Sequence, residues 1–279
     1  MKKVISRYLP IIIGKYINTL SIIAPKKAML KAAHIFSTPR KGNVQEHQYE
    51  FLEKAKATSF TYENYTIQTY QWHGNGKTIL LAHGWESNSF RWRKLIKELQ
   101  KKDFNIIAID APAHGNSSGT SFNVPLYTEC VEKTFEKFSP EIIIGHSLGG
   151  MTAIYHQYKY SNPLVKKIVV LAPPSELSRI MKDYQKILNL DTKILKNLER
   201  HYKNRFGFNF DEFSVAEFSK TLKQPGLIIH DETDNITPMI ESETIHKNWK
   251  ASAMIKTNGF DHSLQDKNVY NYILDFLDK

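Results

Sequence analysis

Between residues 78 and 171 the chain alternates short, uninterrupted apolar runs with stretches whose apolar residues recur at helical spacing. The runs are Thr78-Ile79-Leu80-Leu81-Ala82, Asn105-Ile106-Ile107-Ala108-Ile109, Ile142 to Gly145, and Lys167-Ile168-Val169-Val170-Leu171. Between them lie Trp92, Leu95, Ile96 and Leu99, then a helix predicted from about Leu126 to Phe138, then one running on from Leu148. Strands apolar on both faces and separated by amphipathic helices predict a mostly parallel sheet covered on both sides, an α/β architecture. Ahead of it, Phe60 to Trp72 is rich in aromatics and threonine around Glu63-Asn64, which predicts a β-hairpin. The alternation stops over residues 175–224, where the pattern is helical and dense in charge and aromatics. Strand signals resume at Gly226–His230 and Ser252–Lys256, and a last helix is predicted from Lys267 to Leu277. The domain reading is a basic helical appendage over 1–55, a core over 56–174 and 225–279, and a helical cap inserted over 175–224.

The charge pattern changes the picture at one end of the chain. Nine Lys and Arg and no Asp or Glu fall within residues 1–45, although the whole chain carries a net charge of only +10. The remainder is close to neutral. Charge so confined, with no recognisable nucleic-acid-reading motif, argues against a nucleic-acid partner. Within residues 4–23, Ile5, Tyr8, Leu9, Ile12, Tyr16, Leu20 and Ile23 recur at helical spacing. Arg7 and Lys15 interrupt the run, so it predicts neither a transmembrane helix nor a secretory signal, and a cytoplasmic protein is expected. Two readings of residues 1–24 stay open. Amphipathic helices packed on the body are favoured; the other reading is peripheral contact with anionic lipid through the lysines. The single cysteine, Cys130, rules out an intrachain disulfide and a cysteine-based zinc site, and is read as an inert core thiol.

The candidate chemistry centres on Gly145-His146-Ser147-Leu148-Gly149, which follows one apolar run and opens a helical one. A serine hydroxyl is a weak nucleophile unless it is held exposed, beside a base and near hydrogen-bond donors. A tight strand-to-helix turn exposes it, and glycines on either side relieve the crowding. Ser147 is the candidate nucleophile. A base must in turn be oriented by a carboxylate. His262 follows the strand-like Met254-Ile255-Lys256, and Asp234 follows Ile228-Ile229, so all three lie beyond strand carboxyl ends in the chain order Ser, Asp, His. Asp231 is the nearest rival to Asp234 and Glu176 a remoter one. His83 and His114 each precede a glycine in a turn and are read as shaping loops. Asp110 is read as hydrogen-bonding its own loop.

With these residues the chain resembles the α/β-hydrolase superfamily over roughly residues 60–279. The matching motifs are His83-Gly84-Trp85, Asp110-Ala111-Pro112-Ala113-His114-Gly115-Asn116-Ser117, the serine turn, the Asp234 loop ending at Pro238, and His262. The resemblance implies the α/β-hydrolase fold and an oxyanion hole made by the backbone N–H groups of Trp85 and Leu148. Two departures are His230-Asp231, where the family commonly has His-Gly, and Asp261, which stands where a glycine often precedes the histidine. Both add negative charge beside the base. The expected reaction is hydrolysis of a carboxylic ester through an acyl-enzyme, with no metal and no organic cofactor. The substrate is expected to be a small molecule with an apolar group, touched by Phe206 and Phe210 of the cap. The same residues would serve a thioester, amide, lactone or carbon–carbon bond. A ligand-binding or membrane-surface protein without catalysis is the alternative of a different class.

Overall fold

The apolar runs form the centre of an eight-stranded sheet in the order β1-β2-β4-β3-β5-β6-β7-β8. The strands are β1 (Lys56–Tyr62), β2 (Tyr65–Trp72), β3 (Thr78–Ala82), β4 (Asn105–Ile109), β5 (Ile142–His146), β6 (Lys167–Leu171), β7 (Gly226–Asp231) and β8 (Ser252–Thr257). The structure, a computed structural model, describes residues 2–279, with side chains described from Tyr8 onward. β2 pairs antiparallel with both β1 and β4, and the other pairings are parallel. The hairpin turns at Glu63, whose φ is 50°. Helices α1 (Lys2–Ile23), α2 (Pro25–Ser37) and α3 (Glu46–Leu52) precede the sheet. The crossovers between parallel strands are α4 (Arg93–Gln100), α5 (Val124–Phe138) and α6 (Leu148–Tyr160). After β6 come α7 (Leu177–Leu188), α8 (Thr192–Phe206) and the short α9 (Val215–Phe218). Around β8 lie α10 (Met239–Asn248) and α11 (Lys267–Asp278).

The chain divides into two compact units. The sheet unit comprises Pro39–Ser175 and Val215–Lys279. Its strands are buried on both faces, which is why they read as unbroken apolar runs. Ile79, Leu81, Ile106, Ile144, Val169 and Ile229 point into one layer, and Leu80, Ile107, Ile143, Val170 and Ile228 into the other. β3 is the switch in strand order: β4 lies on one side of it and β5 on the other, with Ala82 opposite both Ile109 and Gly145. In such sheets the loops leaving adjacent strands on either side of the switch diverge and open a crevice at the carboxyl ends.

The helical unit joins two segments far apart in sequence, Met1–Thr38 and Glu176–Ser214. Ile17, Ala28 and Ala32 are buried in one cluster with Met181, Leu188, Ile194, Leu198, Tyr202 and Phe210. The Asn18 side chain donates to the Asn189 carbonyl at 2.9 Å and accepts from the Asp191 N–H at 3.1 Å. Tyr184 donates to the Ala32 carbonyl at 2.8 Å. The boundaries therefore fall after Thr38, Ser175 and Ser214, where the pattern of the sequence suggested 55, 174 and 224. Residues 39–55 go with the sheet because α3 buries Leu52 there and sets Phe51 5.3 Å from Trp72. Phe218, grouped with the insertion by its aromatic neighbours in sequence, instead stacks on Tyr158 of α6 at 4.2 Å.

Candidate active site

Ser147 sits between β5 and α6 with φ 53° and ψ −123°. This backbone is costly for a residue with a Cβ, on the order of 1–3 kcal/mol, and persists only where the surroundings enforce it. Two constraints enforce it. The Ser147 N–H is tied to the Leu171 carbonyl of β6 at 2.8 Å. α6 then turns in against β3 so closely that a Cβ on Gly149 would lie 2.1 Å from the Ala82 carbonyl oxygen. The loop after β3 approaches from the other side, where a Cβ on Gly84 would meet the Ser147 Cβ at 2.8 Å. Neither the Trp85 N–H nor the Leu148 N–H donates a hydrogen bond among the described residues. Leu148 directly follows Ser147, and Trp85 directly follows Gly84 of the loop that approaches the serine turn.

Asp234 and His262 come together as the sequence order suggests. His262 Nδ1 lies 2.7 Å from Asp234 Oδ2, and the carboxylate side chain is fully shielded from solvent. The same Oδ2 is 3.3 Å from His230 Nε2, while Oδ1 accepts the Ile236 and Thr237 N–H groups at 2.8 and 2.9 Å. Burial alone would raise the Asp234 pKa. The hydrogen bonds from His230, His262, Thr237 and Ile236 outweigh it and hold the carboxyl well below its ordinary range. Asp231, the nearest rival, is committed elsewhere. It accepts from Thr233 N–H at 3.0 Å, Thr257 Oγ1 at 2.7 Å, Gly259 N–H at 3.2 Å and Phe260 N–H at 3.0 Å. Burial works against its charge, but these donors lower its pKa to about 2. Asp231 therefore ties the Asp234 loop to the His262 loop. Glu176 belongs to the helical unit, where it accepts the Ser214 hydroxyl at 2.7 Å.

Two residues that the sequence did not single out hold the His262 loop. His146, buried beside Ser147, donates from Nε2 to the His262 carbonyl at 2.8 Å, and the two rings lie 4.8 Å apart. Arg91, also buried, donates to the Ser263 carbonyl at 3.0 Å and lies over the Trp92 ring at 4.5 Å. Burial lowers its guanidinium pKa to about 9. No signal in the sequence marks either: His146 reads only as part of the serine turn, and Arg91 as one more polar residue entering a helix. No hydrogen bond links Ser147 Oγ to His262 among the described residues; His146, next to Ser147 in sequence, reaches the His262 carbonyl.

The strand order, the strained serine turn and the positions of Asp234 and His262 are features of one known architecture, and a family model described as the alpha/beta hydrolase fold matches residues 77–190. The chain has the α/β-hydrolase fold. It is 32% identical over 128 residues to a serine hydrolase-like protein of Danio rerio, covering 41% of this chain but only 38% of that protein. It is 23% identical over 234 residues to a bifunctional esterase/perhydrolase of Acinetobacter calcoaceticus, covering 67% of this chain and 85% of that protein. Among solved structures, the Pyrococcus furiosus esterase Pf2001 superposes with a TM-score of 0.65 at 20% identity, over 86% of this chain and 98% of that one.

The other sequence-marked residues have structural partners. His83 donates from Nδ1 to the Gly84 carbonyl at 2.7 Å and accepts the Ala111 N–H on Nε2 at 2.9 Å, and burial holds it neutral. His114 bridges the Pro112 carbonyl and the Glu86 N–H at 2.9 and 3.1 Å. Asp110 accepts the Asn116 N–H of its own loop at 2.9 Å, and also the Ser89 N–H and hydroxyl at 2.8 and 2.7 Å. The Trp85 ring packs edge-on against His114 and Phe122. Phe206 and Phe210, expected to touch substrate, both pack on Tyr202 within the helical unit, at 5.3 and 5.4 Å, and Phe210 is buried. Cys130 is buried. Among the described residues no group of three or more His, Cys, Asp or Glu is arranged to hold a metal.

Proposed function

We propose that this protein cleaves a carboxylic ester by way of an acyl-enzyme on Ser147. The observation that carries the reading is the Asp234–His262 pair, joined at 2.7 Å in the loops that follow β7 and β8, together with the strained Ser147 turn that follows β5 of the same sheet. With Nδ1–H donated to a permanently ionised carboxylate, His262 keeps Nε2 as its basic atom. Ser147 Oγ then attacks the ester carbonyl carbon, and Nε2 takes the hydroxyl proton. As the tetrahedral adduct collapses, the imidazolium returns that proton to the departing alcohol. Water repeats the sequence on the acyl-enzyme and releases the acid. The N–H groups of Trp85 and Leu148 receive the charge that develops on the carbonyl oxygen, and removing one such donor typically costs on the order of 100-fold in rate. Nucleophile and base need not be in contact before substrate arrives, because such bonds commonly tighten in the bound complex. The substrate class under this reading is a small ester, in keeping with the esterases named among the similar proteins.

Ester turnover by Ser147→Ala tests the proposal. A small residue suits the turn, so the fold should survive while kcat falls by roughly three orders of magnitude or more. Turnover within about tenfold of wild type would end the assignment.

A further inference from the structure

α1 packs into the helical unit along one side only. Gly14, Ile17 and Ser21 face inward, with Pro10, Ile13 and Asn18 beside them. The opposite side is also apolar and has no cover among the described residues. Tyr8 is 51% exposed, Ile12 61%, Tyr16 56%, Ile22 80% and Ile23 82%. Tyr8, Ile12, Tyr16 and Ile23 follow one another at spacings of four and seven, so they form a single strip along the helix. A run of large apolar side chains left in water on one helix face marks a surface that meets something else.

The charge around the strip says what that partner is. Lys15, on the outward side, and Lys26, Lys27 and Lys31 of the following helix are all exposed. Met1–Thr38 carries seven Lys and Arg and no acid, and the whole helical unit has fifteen basic residues against six acidic. Nearly all of the chain's net charge of +10 therefore resides there. A second copy of this chain would bring a like charge against it. We propose that the outward face of α1 is a docking surface for an anionic lipid bilayer, on which the helix lies in the plane of the headgroups. Ile12, Ile22 and Ile23 enter the acyl boundary, and the tyrosines, apolar in body and polar at the tip, sit at the interface. The lysines extend their stems along the helix and keep their ammonium groups among the phosphates. No described helix is long and apolar enough to cross a membrane, so the mode is surface attachment. The inward face does not change in this mode, so packing and lipid contact are two sides of the same helix.

Co-sedimentation of the full chain with vesicles tests the surface, whatever reaction the protein performs. Phosphatidylcholine vesicles containing phosphatidylglycerol should carry the protein down, and phosphatidylcholine alone should not. About 1 M salt, where the Debye length is about 3 Å, should release most of it. Because the strip is exposed, the triple variant Ile12→Ser, Ile22→Ser, Ile23→Ser should keep the wild-type melting temperature and lose vesicle binding. The triple variant Lys15→Gln, Lys26→Gln, Lys27→Gln should bind anionic vesicles at least about tenfold more weakly, with a smaller salt dependence. Wild-type protein remaining in the supernatant with anionic vesicles would overturn the proposal. So would binding indifferent to lipid charge, or a dimer in sedimentation velocity that the isoleucine variant dissociates, which would assign the face to a second copy.

Discussion

Asp231, the last residue of β7, and Asp234, in the loop that follows it, stand three residues apart and do different work. Asp234 presents its oxygens to two imidazoles and two backbone N–H groups, so its charge is aimed at His262. Asp231 collects donors from its own loop and from residues 257–260, so its charge fastens one loop to another. Substitution should separate the two. Asp234→Asn should lower kcat by on the order of 10,000-fold even at temperatures where the variant is fully folded, because the amide favours the wrong histidine tautomer. Asp231→Asn should destabilise the fold by about 1–3 kcal/mol, since an amide cannot accept all of these donors. Its activity should recover at lower temperature. Chemical denaturation and initial rates on both variants check the pair, and the reverse pattern would exchange the roles. From the sequence, the choice between these aspartates rested on position alone, because both follow the same strand. What resolves it is the count of donors converging on each, and that depends on where β8 and its loop fall in space.

At the scale of elements, the site is set by how closely the β3 loop, β5 and α6 approach. The apolar runs and the Gly-His-Ser-Leu-Gly turn were legible because each follows a local rule: burial on both faces for the strands, relief of crowding for the glycines. Gly84 shows the limit of that legibility. Its need to be glycine comes from the neighbouring strand, where a Cβ would lie 2.8 Å from the Ser147 Cβ and 3.0 Å from the His146 carbonyl oxygen. Gly84→Ala should displace the serine turn, at a cost of about 1–3 kcal/mol in stability and with a disproportionate loss of kcat. A variant with wild-type kcat and melting temperature would show that the loop can yield. α10 escaped notice for a related reason. Apart from Ile245, its buried face is polar: Ile240 is 60% exposed, whereas Glu241 and Ser242 are buried, with Glu241 accepting the Ser175 N–H and hydroxyl.

At the scale of the whole molecule, the joining of Met1–Thr38 with Glu176–Ser214 could not be read from the chain, because neither segment's pattern names its partner. The sheet and its strand-end loops could be, since their order follows from sequence order and handedness. One property of the whole follows from its buried histidines. Burial holds His83 and His146 neutral, with pKa values well below the ordinary 6.5. The unfolded chain binds those protons as pH falls below about 6.5 and the folded chain does not. The stability they contribute is therefore complete above that pH and is lost on acidification, at up to about 1.4 kcal/mol per pH unit for each histidine. The lowered carboxyls of Asp231 and Asp234 add a second loss in the same direction below about pH 4. Urea midpoints should be level from neutral to mildly alkaline pH and fall between pH 6.5 and 5, and a level profile through that window would contradict the neutral assignment.

The central claim is that one serine, held in a strained turn, forms a covalent intermediate. Reaction with a fluorophosphonate, followed by digestion and tandem mass spectrometry, tests it most directly. A single adduct is expected on the peptide containing Ser147, dependent on His262 and absent from Ser147→Ala. An adduct on another serine, or undiminished labelling of the Ser147→Ala protein, would contradict it.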